Sequence, residues 1–157
     1  MPKYKYGNMF DELKPNNNLF VITTNSYIRK DGCLVMGRGA AKQLKDRFPK
    51  IEKYAGDYIK SFQKRKDDDD DYCFFTLKYE HHHIGFLQVK RFFKDDADLE
   101  LIWDSIDCMQ RFVEMAPWIK KVNINYPGIG FGGLTKKKVK PCLEELDKRF
   151  NIWQFKK

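Results

Sequence analysis

Lys121-Val122-Asn123-Ile124-Asn125-Tyr126-Pro127-Gly128-Ile129-Gly130-Phe131-Gly132-Gly133-Leu134 begins as a short apolar run and ends with four glycines in six positions. Lys121 to Asn125 reads as a short strand. Beyond Leu134, the residues Val139, Cys142, Leu143, Leu146 and Phe150 share one helical face, and Pro141 falls inside that pattern. The helix is therefore expected to start late or to kink at Pro141. A glycine-rich connection between a strand and a helix suggests a loop whose backbone amides form a concave anion nest.

The same arrangement occurs earlier in the chain. Leu19-Phe20-Val21-Ile22-Thr23 is a β-branched apolar run behind the turn-forming Pro15-Asn16-Asn17-Asn18, which predicts a buried strand. Met36-Gly37-Arg38-Gly39-Ala40-Ala41-Lys42 follows and leads into a helix predicted from Ala40 to Phe48, closed before Pro49. Glycines there let the main chain approach a ligand closely, and the free N–H groups of a first helical turn attract an anion such as a diphosphate. Both loops could instead be plain tight connections. However, their glycines exceed what turning the chain needs, and both are expected at one edge of the sheet. Neither closes with Gly-Lys-Ser/Thr, so a Walker-type phosphate loop is excluded.

A helix from Ile51 to Gln63 is expected to place Ile51, Tyr54, Ala55, Tyr58, Ile59 and Phe62 on one face, and strands are expected at Tyr72 to Tyr79 and Ile84 to Val89. The longest helical stripe runs from Leu99 to Ala116, with Leu99, Ile102, Trp103, Ile106, Met109, Phe112 and Val113 at steps of three and four. Asn151 to Phe155 reads as a last strand. Strands alternating with amphipathic helices predict one α/β domain over 1–157, a three-layer α/β/α arrangement with ligands at the strand C-terminal ends.

Composition narrows the function classes. In 157 residues, 13 Phe, 8 Tyr and 3 Trp supply too much aromatic area for a disordered chain. No apolar run approaches the ~18–20 residues of a membrane span. Met1-Pro2-Lys3-Tyr4-Lys5-Tyr6 lacks the apolar segment of a secretion signal, so a cytosolic protein is expected. Cys33, Cys73, Cys108 and Cys142 show neither C-x-x-C nor finger spacing and are read as reduced core thiols. His81-His82-His83 is assigned to a solvated hairpin turn, because adjacent residues on an extended chain point to alternating faces and cannot share one metal ion. Asp67 to Asp71 is expected to form an exposed loop tip. The net charge is +8, of which Leu134 to Lys157 carries +5 (eight Lys/Arg against three Asp/Glu). This basic end, led by Lys136, Lys137, Lys138 and Lys140, suits phosphates of a nucleic acid or a nucleotide, or else simply begins a solvated helix.

Together the segments resemble the macrodomain family, an α/β/α fold with a central mixed sheet that binds ADP-ribose. The likeness runs through Tyr6-Gly7-Asn8-Met9-Phe10, Thr23-Thr24-Asn25, Met36 to Ala41 and Gly128 to Leu134. It is nearest to the glycohydrolase branch, which includes antitoxins that remove ADP-ribose from DNA. This resemblance implies that Asn8 and Met9 meet adenine and that Thr24 and Asn25 meet the distal ribose. It further implies that Met36, Gly37, Arg38, Gly39 and Ala40 bind one side of the diphosphate. Pro127, Gly128, Ile129, Gly130, Phe131, Gly132, Gly133 and Leu134 would then bind the other side, with Phe131 covering the distal ribose. Lys90, in Leu87-Gln88-Val89-Lys90-Arg91, inherits the catalytic role with Asn25 as orienting partner, and Arg91 is expected to help lower the Lys90 pKa.

The chain departs from the family in four places, one of them the stretch Ser26 to Val35, which is longer and more charged than a compact ribose loop. Asn8 stands where an aspartate is usual, Gly132 stands where the glutamate-specific enzymes carry a catalytic aspartate, and Thr135-Lys136 replaces an Asp-Trp pair. The implied ligand is ADP-ribose, free or on DNA or protein, with no metal or other cofactor, and the chain itself is expected to be a monomer. A non-catalytic reader, an ADP-ribose 1″-phosphate phosphatase and a nucleic-acid-binding module are the alternatives.

Overall fold

The computed structural model describes residues 1–16, 18–65 and 71–155. In chain order these form β1 (Lys3–Tyr6), a 3₁₀ turn (Met9–Glu12), β2 (Leu19–Thr24), α1 (Gly39–Arg47), α2 (Ile51–Arg65), β3 (Phe74–Tyr79), β4 (His82–Gln88), α3 (Leu99–Glu114), β5 (Val122–Asn125), a second 3₁₀ turn (Gly130–Gly132), α4 (Lys136–Leu143) and β6 (Phe150–Gln154). The sheet order is β1-β6-β5-β2-β4-β3. All neighbours are parallel except β3, which pairs antiparallel with β4. The mixed sheet with flanking helices is the one expected from the sequence.

Strand alternation divides the core into two layers. In β2, Leu19 and Val21 face α3 and α4, whereas Phe20 and Ile22 face α1 and α2. β4 does the same, with Leu87 on the first side and Ile84 and Phe86 on the second. A parallel strand buried on both faces needs such a continuous apolar run. On the first side the stripe of α3 (Ile102, Ile106, Met109 and Val113) closes the layer. At the start of α3, Asp98 accepts from the Leu101 amide, one of the donors that a helix start leaves unpaired.

Several expectations are corrected. β1 is an edge strand whose Lys-Tyr alternation gives no apolar face to read. The hairpin turn is Glu80–His81, both at positive φ (48° and 66°) as a two-residue type I′ turn requires. His82 and His83 belong to β4. They do point to opposite faces, His82 against Phe48 and His83 against Trp118. α4 starts at Lys136 and contains Pro141, so it does not start late. It ends two residues after that proline, which has no N–H to donate back along the helix. Leu146 and Phe150 therefore lie beyond the helix, with Phe150 opening β6, yet both stay in the same apolar layer. The four cysteines are free, but only Cys142 is buried in the core. Of the acidic run, Asp67 to Asp70 lie outside the described residues. Asp71 accepts from Arg91 and Gln88. Among the described residues no helix is long and apolar enough to cross a membrane.

Candidate functional site

The C-terminal ends of β2, β4, β5 and β6 open into one cavity of about 520 Å³, a size suited to a small organic ligand. It sits where the chain reverses its direction of sheet building: β4 lies on one side of β2 and β5 on the other. The segments singled out in the sequence converge on it. Thr24, Asn25, Met36, Gly37, Arg38, Gly39, Ala40, Lys90, Gly128, Ile129, Gly130, Phe131 and Gly132 line its wall. Met9 and Leu134 are packed into the two apolar layers instead. Asn8, Pro127 and Gly133 also lie off the wall.

The two glycine loops touch across the mouth. The Arg38 guanidinium lies over the Phe131 ring, 5.4 Å from its centroid. In the first loop the amides of Gly39, Ala40 and Ala41 open α1 and donate to no backbone carbonyl among the described residues. Arg38 precedes them without a side-chain cap. The result is a bare helix start aimed into a cavity, which favours an anion. Gly37 is informative in another way: its φ is ordinary, and a methyl group there would meet nothing within 4 Å. The fold does not require glycine at that position, and a side chain would occupy cavity space.

In the second loop, Gly132, Gly133 and Leu134 donate their amides to Ile129, Gly130 and Gly128. The expected anion nest therefore shrinks to the amides of Gly128, Ile129, Gly130 and Phe131, which have no backbone acceptor among the described residues. Gly130 (φ +64°) has open space around it, so its glycine serves the turn.

Asn25 is 7% exposed. Its Nδ2 donates to the Val35 carbonyl and its Oδ1 accepts from the Tyr27 amide, which ties the 26–35 segment to the cavity wall. One Nδ2 hydrogen remains for a ligand. The buried Tyr72 hydroxyl donates to the Asn25 carbonyl and is hydrogen-bonded to Thr24 Oγ1, which fixes the end of β2. Asn8 is engaged locally: its Oδ1 accepts from the Phe10 amide and caps the first 3₁₀ turn.

Lys90 follows β4, and its Nζ donates to the Asp95 carbonyl at 3.1 Å. Burial pushes its pKa below the ordinary lysine value, and the Arg38 charge adds to that; Asp96 and Asp95 oppose the shift. The cation expected to act on Lys90 was Arg91. Arg91 instead reaches between Asp71 and Asp98, at 2.7 and 2.9 Å, and these carboxylates neutralise it.

Sequence reasoning missed Asn125, Tyr126, Phe93, Trp153, Gln154 and Phe155, which also line the cavity. Asn125 crosses to β2 by accepting from the Thr23 amide and donating to its Oγ1. Trp153 to Phe155 end β6, and only the strand order brings them beside Tyr126. Beside Lys90, Tyr27 meets Phe92 and Phe93 edge to face and those two rings tilt against each other, an aromatic rim with centroids 4.6–5.3 Å apart.

Solved structures with this arrangement are known. Over 100% of this chain and 99% of the other, it superposes on the macrodomain of Thermus aquaticus DarG with a TM-score of 0.73 at 19% identity. The chain has the macrodomain fold. The macrodomain of Mycobacterium tuberculosis DarG gives a TM-score of 0.71 at 22% identity, covering 98% of this chain and 97% of that one. Thermosipho africanus DarTG, solved in complex with ADP-ribose, gives 0.74 at 18% identity over 98% of this chain and 42% of that one. No family model and no curated protein matches the sequence.

Proposed function

We propose that this macrodomain binds ADP-ribose in the cavity and hydrolyses an ADP-ribosyl bond to a macromolecule, DNA or protein. One observation carries the reading: two glycine loops meet over a single hollow, with a lysine of lowered pKa on its wall. The diphosphate rests on the amides of Gly39, Ala40 and Ala41, and the amides of Gly130 and Phe131 close from the other side. Phe131 covers the distal ribose, and the free Nδ2 hydrogen of Asn25 orients it. Adenine lies toward Trp153 and Phe155.

Lys90 supplies the chemistry. Its neutral amine forms a bond to the anomeric carbon as the bond to the leaving group breaks. The leaving group departs with the electron pair and takes up a proton, and water then frees the ribose from the lysine. The aromatic rim of Tyr27, Phe92 and Phe93 beside Lys90 suits a flat leaving group such as a nucleobase. A reader that holds ADP-ribose without cleaving it is the second reading, favoured by the Lys90 bond to the Asp95 carbonyl.

Isothermal titration with ADP-ribose tests the shared part, and absence of heat at millimolar ligand overturns both readings. Incubation with ADP-ribosylated DNA and with ADP-ribosylated protein separates them. Release by the wild type that is lost in Lys90→Ala identifies the hydrolase; release undiminished in that variant removes Lys90 from the mechanism. Release of inorganic phosphate from ADP-ribose 1″-phosphate would point to the phosphatase.

A further inference from the structure

Outside the cavity, β1 and α4 form a surface to which the proposed activity gives no role. Tyr4 and Tyr6 project from the same side of the edge strand and are 40% and 67% exposed. Two residues apart on a strand, their rings are spaced by about 6.6 Å. A lysine from α4 lies over each: Lys140 Nζ is 5.9 Å from the Tyr4 centroid, and Lys136 Nζ is 5.9 Å from that of Tyr6. Lys137 and Lys138 are exposed on the same helix, which has no acidic residue before its C-terminal cap, Glu144. Glu144 is the carboxylate that acts on Tyr4.

We propose that this β1–α4 face binds single-stranded nucleic acid, with bases stacked on Tyr4 and Tyr6 and phosphates held by Lys136 and Lys140. Lysines alone would fit any polyanion. Flat, exposed rings alternating with cations fit a polyanion that carries aromatic bases and leaves them unpaired. An acidic peptide would use the charges and leave both rings unused. The face is continuous with the cavity edge: Lys136 Nζ also donates to Gln154 Oε1, and the Tyr4 ring lies 6.1 Å from that of Tyr126. Gln154 and Tyr126 both line the cavity, so a strand on this face runs past its mouth. The inference does not depend on what the cavity binds.

The test is fluorescence anisotropy with a labelled, unmodified oligothymidylate of 12 nucleotides, using the whole chain at low salt. Binding is expected, with affinity falling as salt rises. Tyr6→Ala should lose roughly 5- to 100-fold in affinity while Tyr6→Phe retains it. Lys136→Gln and Lys140→Gln should each lower the slope of log affinity against log salt by about 0.7. Circular dichroism of each variant confirms the fold. The proposal is overturned if the wild type does not bind, if an abasic oligonucleotide or a duplex binds as tightly, or if Tyr6→Ala binds normally. Displacement of the oligonucleotide by ADP-ribose would also overturn it, because the strand would then occupy the cavity. Failure of ADP-ribose to bind while the oligonucleotide does would leave this inference standing and remove only the proposed function.

Discussion

The two glycine loops look alike in sequence and differ in construction. Met36 to Lys42 leaves the amides of Gly39, Ala40 and Ala41 open at the start of α1, and Gly37 has empty space where a side chain would go. Pro127 to Leu134 spends three of its amides on itself. Two of its glycines are crowded: a methyl on Gly128 would sit 2.7 Å from Ile102 Cδ1, and one on Gly133 would meet the Asp96 carboxylate. The first loop is thus built to receive, and the second to hold a shape that presents Phe131. Glycine content alone does not distinguish an anion cradle from a rigid mount; the bonding of the amides does.

This contrast can be broken by substitution. Gly128→Ala combines a positive φ of 78° with the Ile102 contact and should destabilise the fold by about 2 kcal/mol or more, read by denaturant unfolding. Gly37→Val should do the reverse. It leaves the unfolding midpoint near the wild-type value and weakens ADP-ribose binding roughly 10- to 100-fold by calorimetry, as a side chain forced into occupied space would. Equal stability loss in both variants would mean that the loops are not different in kind. Phe131→Ala should cost ADP-ribose affinity about 2- to 5-fold, the scale of one exposed cation–π contact, with stability unchanged.

The smallest effect is expected in a pH profile. Hydrolysis that needs the neutral Lys90 amine increases as pH rises through its pKa, which burial and Arg38 hold below the usual lysine range. Arg38→Gln removes a repelling charge, raises that pKa and moves the rising limb of the rate profile to higher pH. A limb that stays in place would show that Arg38 does not act on the reacting lysine.

Much of this architecture was legible because two glycine clusters each sit between an apolar strand run and a helical pattern, and because β2 and α3 carry unambiguous apolar periods. β1 was not, since Lys3-Tyr4-Lys5-Tyr6 owes its strand to pairing with β6, a partner about 150 residues away in the chain. The aromatic wall from Trp153 to Phe155 was hidden for the same reason: only the strand order places β6 next to β5. Lys90 could be located by likeness, but the charge that tunes it could not. Arg91 is its neighbour in sequence, and two carboxylates neutralise it. Arg38 arrives from a different loop.

Two hydrogen bonds fasten the segment that carries Lys90. The Asp98 amide donates to the Val89 carbonyl at 2.8 Å, and the Ala97 amide donates to the Gly132 carbonyl at 2.7 Å. The loop that would grip a ligand and the residue that would attack it are therefore stitched to a common hem, so that a tug at Phe131 would reach the lysine within a few bonds. Occupancy and reactivity would then be linked by local mechanics, without any hinge between larger bodies.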